Sequence, residues 1–407
     1  MAVTPPSWWR GATAAAAGAA VLLGAGSTLP AAAAPAPAPV PEGEIVNAGT
    51  PDAIAGSYLV TLDDTAPRAA SAEAAGLAER FGVEIEQVYE HALNGFEIEA
   101  TEREARALAA DPLVAGVIQN QAVRLTATQT DPPSWGLDRI DQPDLPLDDA
   151  FAHPDHGGAG VTVYVLDTGI HYEHEDFGGR AVFGFDAFGG DGSDRQGHGT
   201  HVAATAGGAA FGVAKSAEIV SVKVLDDEGS GTLASVVAGM DWVTGNATGP
   251  SVANLSLGGE ASQALDDAVR AAIEAGVTFV VAAGNENQPA AGTSPARVAE
   301  AITVGATTPS DRRAAFSNYG TAVDLFAPGS SITSAWTGSP TATHTVSGTS
   351  MATPHVAGAA ALYLADHPQA APAEVAAALD RASARGRLSD EGPGSPDKLL
   401  QVFTAGP

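Results

Sequence analysis

Five short apolar runs in the second half of the chain, Val161 to Leu166, Ile219 to Leu225, Val252 to Leu257, Val277 to Ala282 and Ala301 to Val304, most narrow what it can fold into. All five are short and predominantly apolar, so each reads as a candidate strand buried on both faces. The windows Leu233 to Val243 and Leu265 to Glu274 between them are helical. Strand alternating with helix predicts an α/β domain, a parallel sheet with helices on both faces. A hydrophobic content of 45% supplies the core such a sheet needs.

Residues 42 to 126 obey a different grammar. Ser57 to Leu62 reads as strand, Arg68 to Arg80 as Ala-rich helix, and Val83 to Tyr89 and Phe96 to Ala100 as strands. Thr101 with Glu104 then forms a capping box for a helix that Asp111 and Pro112 close, and Val114 to Val123 is a last strand. The order β-α-β-β-α-β is a small ferredoxin-like α+β pattern. Ahead of it, Arg10, the small and aliphatic run Ala12 to Leu23, and Ala31 to Ala34 read as a secretory signal cut near Ala33. Pro35 to Pro41 reads as an extended linker. The expected parts are a signal at 1–33, a linker at 34–43, a small domain at 44–126 and a main domain at 127–407, secreted and soluble.

The formal charge of −29 sets nucleic acid and anionic membranes aside as partners. It divides as −10 over residues 42–126, with five basic and fifteen acidic residues, and −20 over 127–407. Without any cysteine there is no disulfide framework, thiolate metal site or cysteine nucleophile, which leaves hydroxyl, imidazole and carboxylate chemistry. After the signal no stretch offers the roughly 18 consecutive apolar residues of a membrane span.

Ser350 lies in Gly348-Thr349-Ser350-Met351-Ala352-Thr353-Pro354-His355, opening an Ala-rich helix through about Ala365. Pro354 fits only a first turn, so Ser350 is expected at the helix N-terminus, where free amides and the dipole stabilise an anion. On this stretch alone an N-cap is the simpler account. A nucleophilic serine needs a base and an orienting carboxylate. His198, between Gly197 and Gly199 at a helix start, is open to approach, whereas His201 and His355 fall on helices and read as packed. His171 and His174 precede Glu175 and Asp176, but the spacing is not that of a His-Glu-x-x-His zinc helix. Asp167 ends the run Val163 to Leu166, and the C-terminal ends of parallel strands are where such sheets hold ligands.

Asp167-Thr168-Gly169, His198-Gly199-Thr200-His201 and Gly348-Thr349-Ser350-Met351-Ala352, in that order, resemble the subtilisin-type serine proteases, and among them the proteinase K group. The likeness runs from Trp135 to Val402, and residues 42 to 126 resemble that family's inhibitory propeptide. It implies a subtilisin-like fold and a secreted endopeptidase made as a zymogen. Ser350 would be the nucleophile, His198 the general base and Asp167 its partner, with Asn285 and the Ser350 amide as oxyanion donors. An Asn285 in an ordinary turn is the plainer account. The likeness sets Gly229-Ser230-Gly231 on one side of an extended substrate and Ser256-Leu257-Gly258 on the other, although the same glycines also make turns. Ala282, Ala283, Gly284, Gly258 and Gly259 would leave an open, apolar S1 pocket without a carboxylate at its base, giving a broad apolar and aromatic P1 preference, and Glu286 would stand at its mouth.

The implied partners are protein and peptide substrates and the chain's own propeptide as intramolecular chaperone and inhibitor; the enzyme is expected to be a monomer. Asp324, with the Ala299 and Ala301 carbonyls, matches a calcium site of the family, while a solvated loop carboxylate is the alternative. Val202 stands where proteinase K relatives commonly carry a cysteine, and Glu286 where they usually carry a neutral residue. The rivals are a catalytically silent subtilase used for binding, which normally lacks a triad residue, and an esterase on the same site.

Overall fold

The computed structural model describes residues 42–50, 53–63, 66–91, 93–121 and 126–402. The expected signal and all but two linker residues lie outside them. In the N-terminal region β1 (Ala53–Leu62), α1 (Ala72–Phe81), β2 (Glu84–Tyr89), β3 (Gly95–Glu99), α2 (Glu102–Ala109) and β4 (Val114–Gln121) follow the expected order. The pair Ile45–Val46 adds a parallel edge, giving the sheet order Ile45–Val46, β4, β1, β3, β2. Helix α1 starts at Ala72, not Arg68, because Ser71 caps it by accepting from the Ala74 amide. The capping box forms as expected, Thr101 N donating to Glu104 Oε2 at 2.8 Å and Glu104 N to Thr101 Oγ1 at 3.3 Å. Val60, Phe96, Ile98, Leu108 and Val117 are fully buried between sheet and helices. The expected strand end at Val123 lies outside the described residues.

Strand β5 (Thr126–Thr130) pairs antiparallel with β6 (Ala150–Pro154). The main sheet uses β7 (Thr162–Asp167), β8 (Ala181–Asp186), β9 (Glu218–Lys223), β10 (Ser251–Leu255), β11 (Thr278–Ala282), β12 (Ile302–Thr307) and β13 (Leu325–Pro328). Its order is β8-β9-β7-β10-β11-β12-β13, all parallel, and two short C-terminal strands extend the β13 edge. Strand β7 thus has β9 on one side and β10 on the other, where the chain reverses the direction in which the sheet grows. Such a switch point opens a crevice at the carboxyl ends of the strands, and Asp167 stands there.

The continuous apolar runs are explained by two cores. Val163 and Val165 face the cluster of α3 (His198–Gly207) and α6 (Thr349–Asp366), with Val202 and Val356. Tyr164 and Leu166 face the opposite cluster, with Met240 of α4 (Leu233–Asn246) and Val269 of α5 (Gln263–Glu274). Successive side chains on a strand point to opposite faces, so a strand buried on both, such as β7, can run apolar through consecutive positions.

Helix α6 departs from the sequence expectation. Gly348 is its N-cap, Ser350 its second residue, and Pro354 lies inside it rather than in its first turn. Proline cannot bond the carbonyl four residues back, which belongs to Ser350. Ser256 Oγ donates to that carbonyl at 2.8 Å, so the freed acceptor is satisfied from the neighbouring segment.

Candidate active site

Asp167 is fully buried and accepts from His198 Nδ1 at 2.8 Å on Oδ1 and 2.9 Å on Oδ2. Two glycines make this approach possible. Gly197, at φ 113°, caps α3 against the Trp336 ring, and a Cβ there would lie 2.2 Å from that ring. A Cβ on Gly199 would lie 2.2 Å from the Gly169 carbonyl. Thr168 Oγ1 donates to Asp194 and accepts from Gly199 N, both at 2.9 Å, tying the Asp167 turn to the His198 helix. Asp194 is buried and also accepts from Gln196 N, Gly197 N and Thr200. Burial works to lower the His198 pKa, but the charge and hydrogen bond of Asp167, helped by Asp194, hold it above the usual 6.5.

Ser350 Oγ donates to the Ser256 carbonyl at 3.0 Å. As second residue of α6 its amide has no partner four residues back in the helix. Asn285 Oδ1 accepts from Thr349 N at 2.8 Å and from Thr349 Oγ1 at 3.0 Å, which commits the amide oxygen and leaves Nδ2 as the exposed donor. A Cβ on Gly348 would lie 3.6 Å from Ser350 N and 3.8 Å from Asn285 Nδ2, so the missing side chain keeps clear the space both donors border.

Two hollows share Leu257, Gly258, Gly259 and Glu260 in their lining. One, of about 360 Å³, is lined by Leu257, Gly258, Gly259, Ala282, Gly284, Asn285, Glu286 and Ser350. The other, of about 560 Å³, is lined by His198, Gly229, Gly231, Ser256, Leu257, Gly258 and Gly259, with Leu225, Leu233, Val236 and Leu265 as an apolar patch. One expected substrate residue, Ala283, stands elsewhere. It packs behind the pocket with Ala290 and Phe326, because it follows Ala282 and points to the other face. Ser230 closes a turn on Asp226. Glu260 borders both hollows and was not foreseen, although it directly follows Gly258-Gly259. Glu286 is exposed, and its Oε2 accepts from Asn285 N at 3.0 Å and Asn318 Nδ2 at 2.9 Å.

Asp324 Oδ2 accepts from Thr303 N at 2.8 Å, beside the segment carrying Ala299 and Ala301. The residue is exposed, yet burial of its carboxyl group by the surrounding protein pushes its pKa up to about 6, against the pull of the Thr303 amide and Lys398. Its other oxygen has no hydrogen-bond partner among the described residues. A carboxylate whose charge is disfavoured and whose second oxygen is unengaged has the hard-oxygen chemistry that suits calcium. No cluster of three or more His, Asp or Glu comes together as a metal site among the described residues. His174 is bound to the Ala342 carbonyl and the Asp176 amide, and burial pushes the pKa of His201 and of His355 down to about 4, keeping both as neutral packed rings.

Residues 158–399 match the Subtilase family and residues 57–126 match Peptidase inhibitor I9. The chain is 49% identical over 380 residues to an extracellular serine proteinase of Thermus sp., an alignment covering 88% of this chain and 92% of that one. It is 47% identical over 296 residues to a cuticle-degrading serine protease of Arthrobotrys oligospora, covering 71% of this chain and 72% of the other. The crystal structure of a cold adapted subtilisin-like serine proteinase superposes with a TM-score of 0.65 at 54% identity, over 66% of this chain and 98% of that chain.

Proposed function

The chain belongs to the subtilase family and is a subtilisin-like serine proteinase with an inhibitor-type propeptide, and we propose that it is a secreted endopeptidase working through Asp167, His198 and Ser350. The observation that carries this is the buried Asp167 paired at 2.8 Å with His198, in a hollow also lined by Ser256, whose carbonyl accepts from Ser350 Oγ at the start of a helix. Ser350 Oγ turns from Ser256 to His198, gives up its proton and attacks the substrate carbonyl carbon. His198 then passes that proton to the leaving amine, and water repeats the sequence on the acyl-enzyme. Asp167 fixes the ring and balances the imidazolium. Asn285 Nδ2 and Ser350 N receive the oxyanion.

The substrate lies extended between Gly229-Ser230-Gly231 and Ser256-Leu257-Gly258. A P1 side chain enters the hollow lined by Ala282 and Gly284, which suits large apolar and aromatic groups. The domain of residues 44–126 acts as chaperone and inhibitor until it is cut between Thr126 and Ala127, and residues 127–407 form a monomeric mature enzyme. Calcium held by Asp324 and the Ala299 and Ala301 carbonyls would neutralise a disfavoured charge and tie the two segments together. A fluorophosphonate that labels the wild type and not Ser350→Ala, together with casein hydrolysis by the wild type alone, tests the assignment. Casein cleavage by Ser350→Ala at the wild-type rate overturns it.

A further inference from the structure

The loop from Ala283 to Gln288 carries Asn285 and Glu286, and a single buried side chain behind it uses its whole amide on that loop. Asn318 lies between β12 and β13 and is fully buried. Its Nδ2 donates to the Ala283 carbonyl and to Glu286 Oε2, each at 2.9 Å. Its Oδ1 accepts from Glu286 N at 3.1 Å and Gln288 N at 3.0 Å. Its backbone amide donates to the Gly284 carbonyl at 2.9 Å. Gly284, at φ 102°, leaves room for this contact, since a Cβ there would lie 2.3 Å from Asn318 Nδ2.

We propose that Asn318 is the positioning residue of the oxyanion loop, setting where Asn285 presents its side-chain amide. This rests on the reading of Asn285 as an oxyanion donor. Thr349 holds the Asn285 side chain and the Gly284 amide from the front, while the Gly284 carbonyl and the Glu286 amide, on either side of Asn285, are held by the Asn318 backbone amide and side chain respectively. An asparagine suits the task because it supplies two donors and two acceptor sites at once. Asn318 reaches no substrate and takes no part in bond making. It acts through geometry, to which transition-state hydrogen bonds are far more sensitive than ground-state binding.

The test is a double-mutant cycle on kcat, with active enzyme counted by fluorophosphonate titration so that misfolded protein drops out. Asn318→Ala is expected to lower kcat roughly 10- to 100-fold, the cost of misplacing a group by up to about 1 Å, with KM changed little. In an Asn285→Ala background, where there is no donor left to position, the same change is expected to cost less than about twofold. If Asn318→Ala does not fold, Asn318→Asp keeps the acceptor oxygens, loses the two donors and runs the same cycle. Equal fold losses in both backgrounds, or no loss in either, overturn the role of Asn318 alone. A wild-type kcat for Asn285→Ala overturns the oxyanion reading, and this proposal with it.

Discussion

Ser256 and Ser350 hold each other twice, Ser256 Oγ donating to the Ser350 carbonyl at 2.8 Å and Ser350 Oγ donating to the Ser256 carbonyl at 3.0 Å. The first bond replaces the helical one that Pro354 cannot give. Ser256→Ala leaves a buried carbonyl without its donor, a loss of about 1–3 kcal/mol. Differential scanning calorimetry of the Ser256→Ala, Ser350→Ala protein, in which self-digestion is blocked, should show a melting temperature several degrees below that of Ser350→Ala. Equal values would mean that the Pro354 gap is filled some other way.

The same pair marks how far the sequence could be read. Local pattern made the strand end at Asp167 and the helix starts at His198 and Ser350 legible, whereas the roles proposed for these residues and for Asn285 rest on the resemblance of their motifs. Ala282 and Ala283 were not separable by composition, since two alanines look alike until the strand's alternation gives one to the cleft and the other to the core behind it. Asn318 and Asp194 were invisible as well. Their partners are mostly backbone amides and carbonyls, brought to them by the fold and carrying no side-chain signature. Pro354 was placed one turn too early, because nothing in its own segment announces that Ser256 will supply the missing donor.

The propeptide and the main domain carry like charges, −10 and −20. Their complex must then rely on strand pairing and apolar burial against long-range repulsion. Added propeptide should inhibit the mature enzyme more tightly as salt rises, read as a falling inhibition constant. Weaker inhibition at high salt would locate specific ion pairs in that interface.

His198 is held above its ordinary 6.5 because Asp167 outweighs the opposing effect of burial. Below that raised pKa the ring is protonated and cannot take the Ser350 proton. The acid limb of kcat/KM should therefore lie above pH 6.5, the ordinary histidine value. Asp167→Ala should cut kcat by about 3 × 10⁴, a figure taken over from subtilisin, a member of the same family. A limb at or below the ordinary histidine value would deny His198 the role of base.

Glu286 borders the hollow proposed to take P1, with one carboxylate oxygen engaged by Asn285 and Asn318 and the other without a partner among the described residues. An exposed ion pair contributes only about 0.2 to 1 kcal/mol, at most about fivefold in rate. Apolar P1 residues should still be preferred, with Lys cleaved better than Glu. Glu286→Gln should reduce the ratio of kcat/KM for P1 Lys over P1 Leu substrates a few-fold at low salt, and high salt should do the same to the wild type. A ratio unmoved by either change would mean that P1 Lys never reaches this carboxylate.

The charge of Asp324 is disfavoured, and one of its oxygens is without a partner among the described residues. Binding to the folded state alone stabilises it by RT ln(1 + [L]/Kd), about 2.7 kcal/mol at a hundredfold excess of free calcium over Kd. Chelation should then lower the melting temperature of the Ser350→Ala protein, with no contribution from self-digestion. Asp324→Asn keeps an acceptor for the Thr303 amide but removes the charge that draws the ion, so it should melt at nearly the same temperature with and without chelator. Because the amide also escapes the penalty of a disfavoured charge, it should melt no lower than the chelated parent. If chelator shifts both proteins equally, the calcium that matters is bound elsewhere and Asp324 is a loop carboxylate.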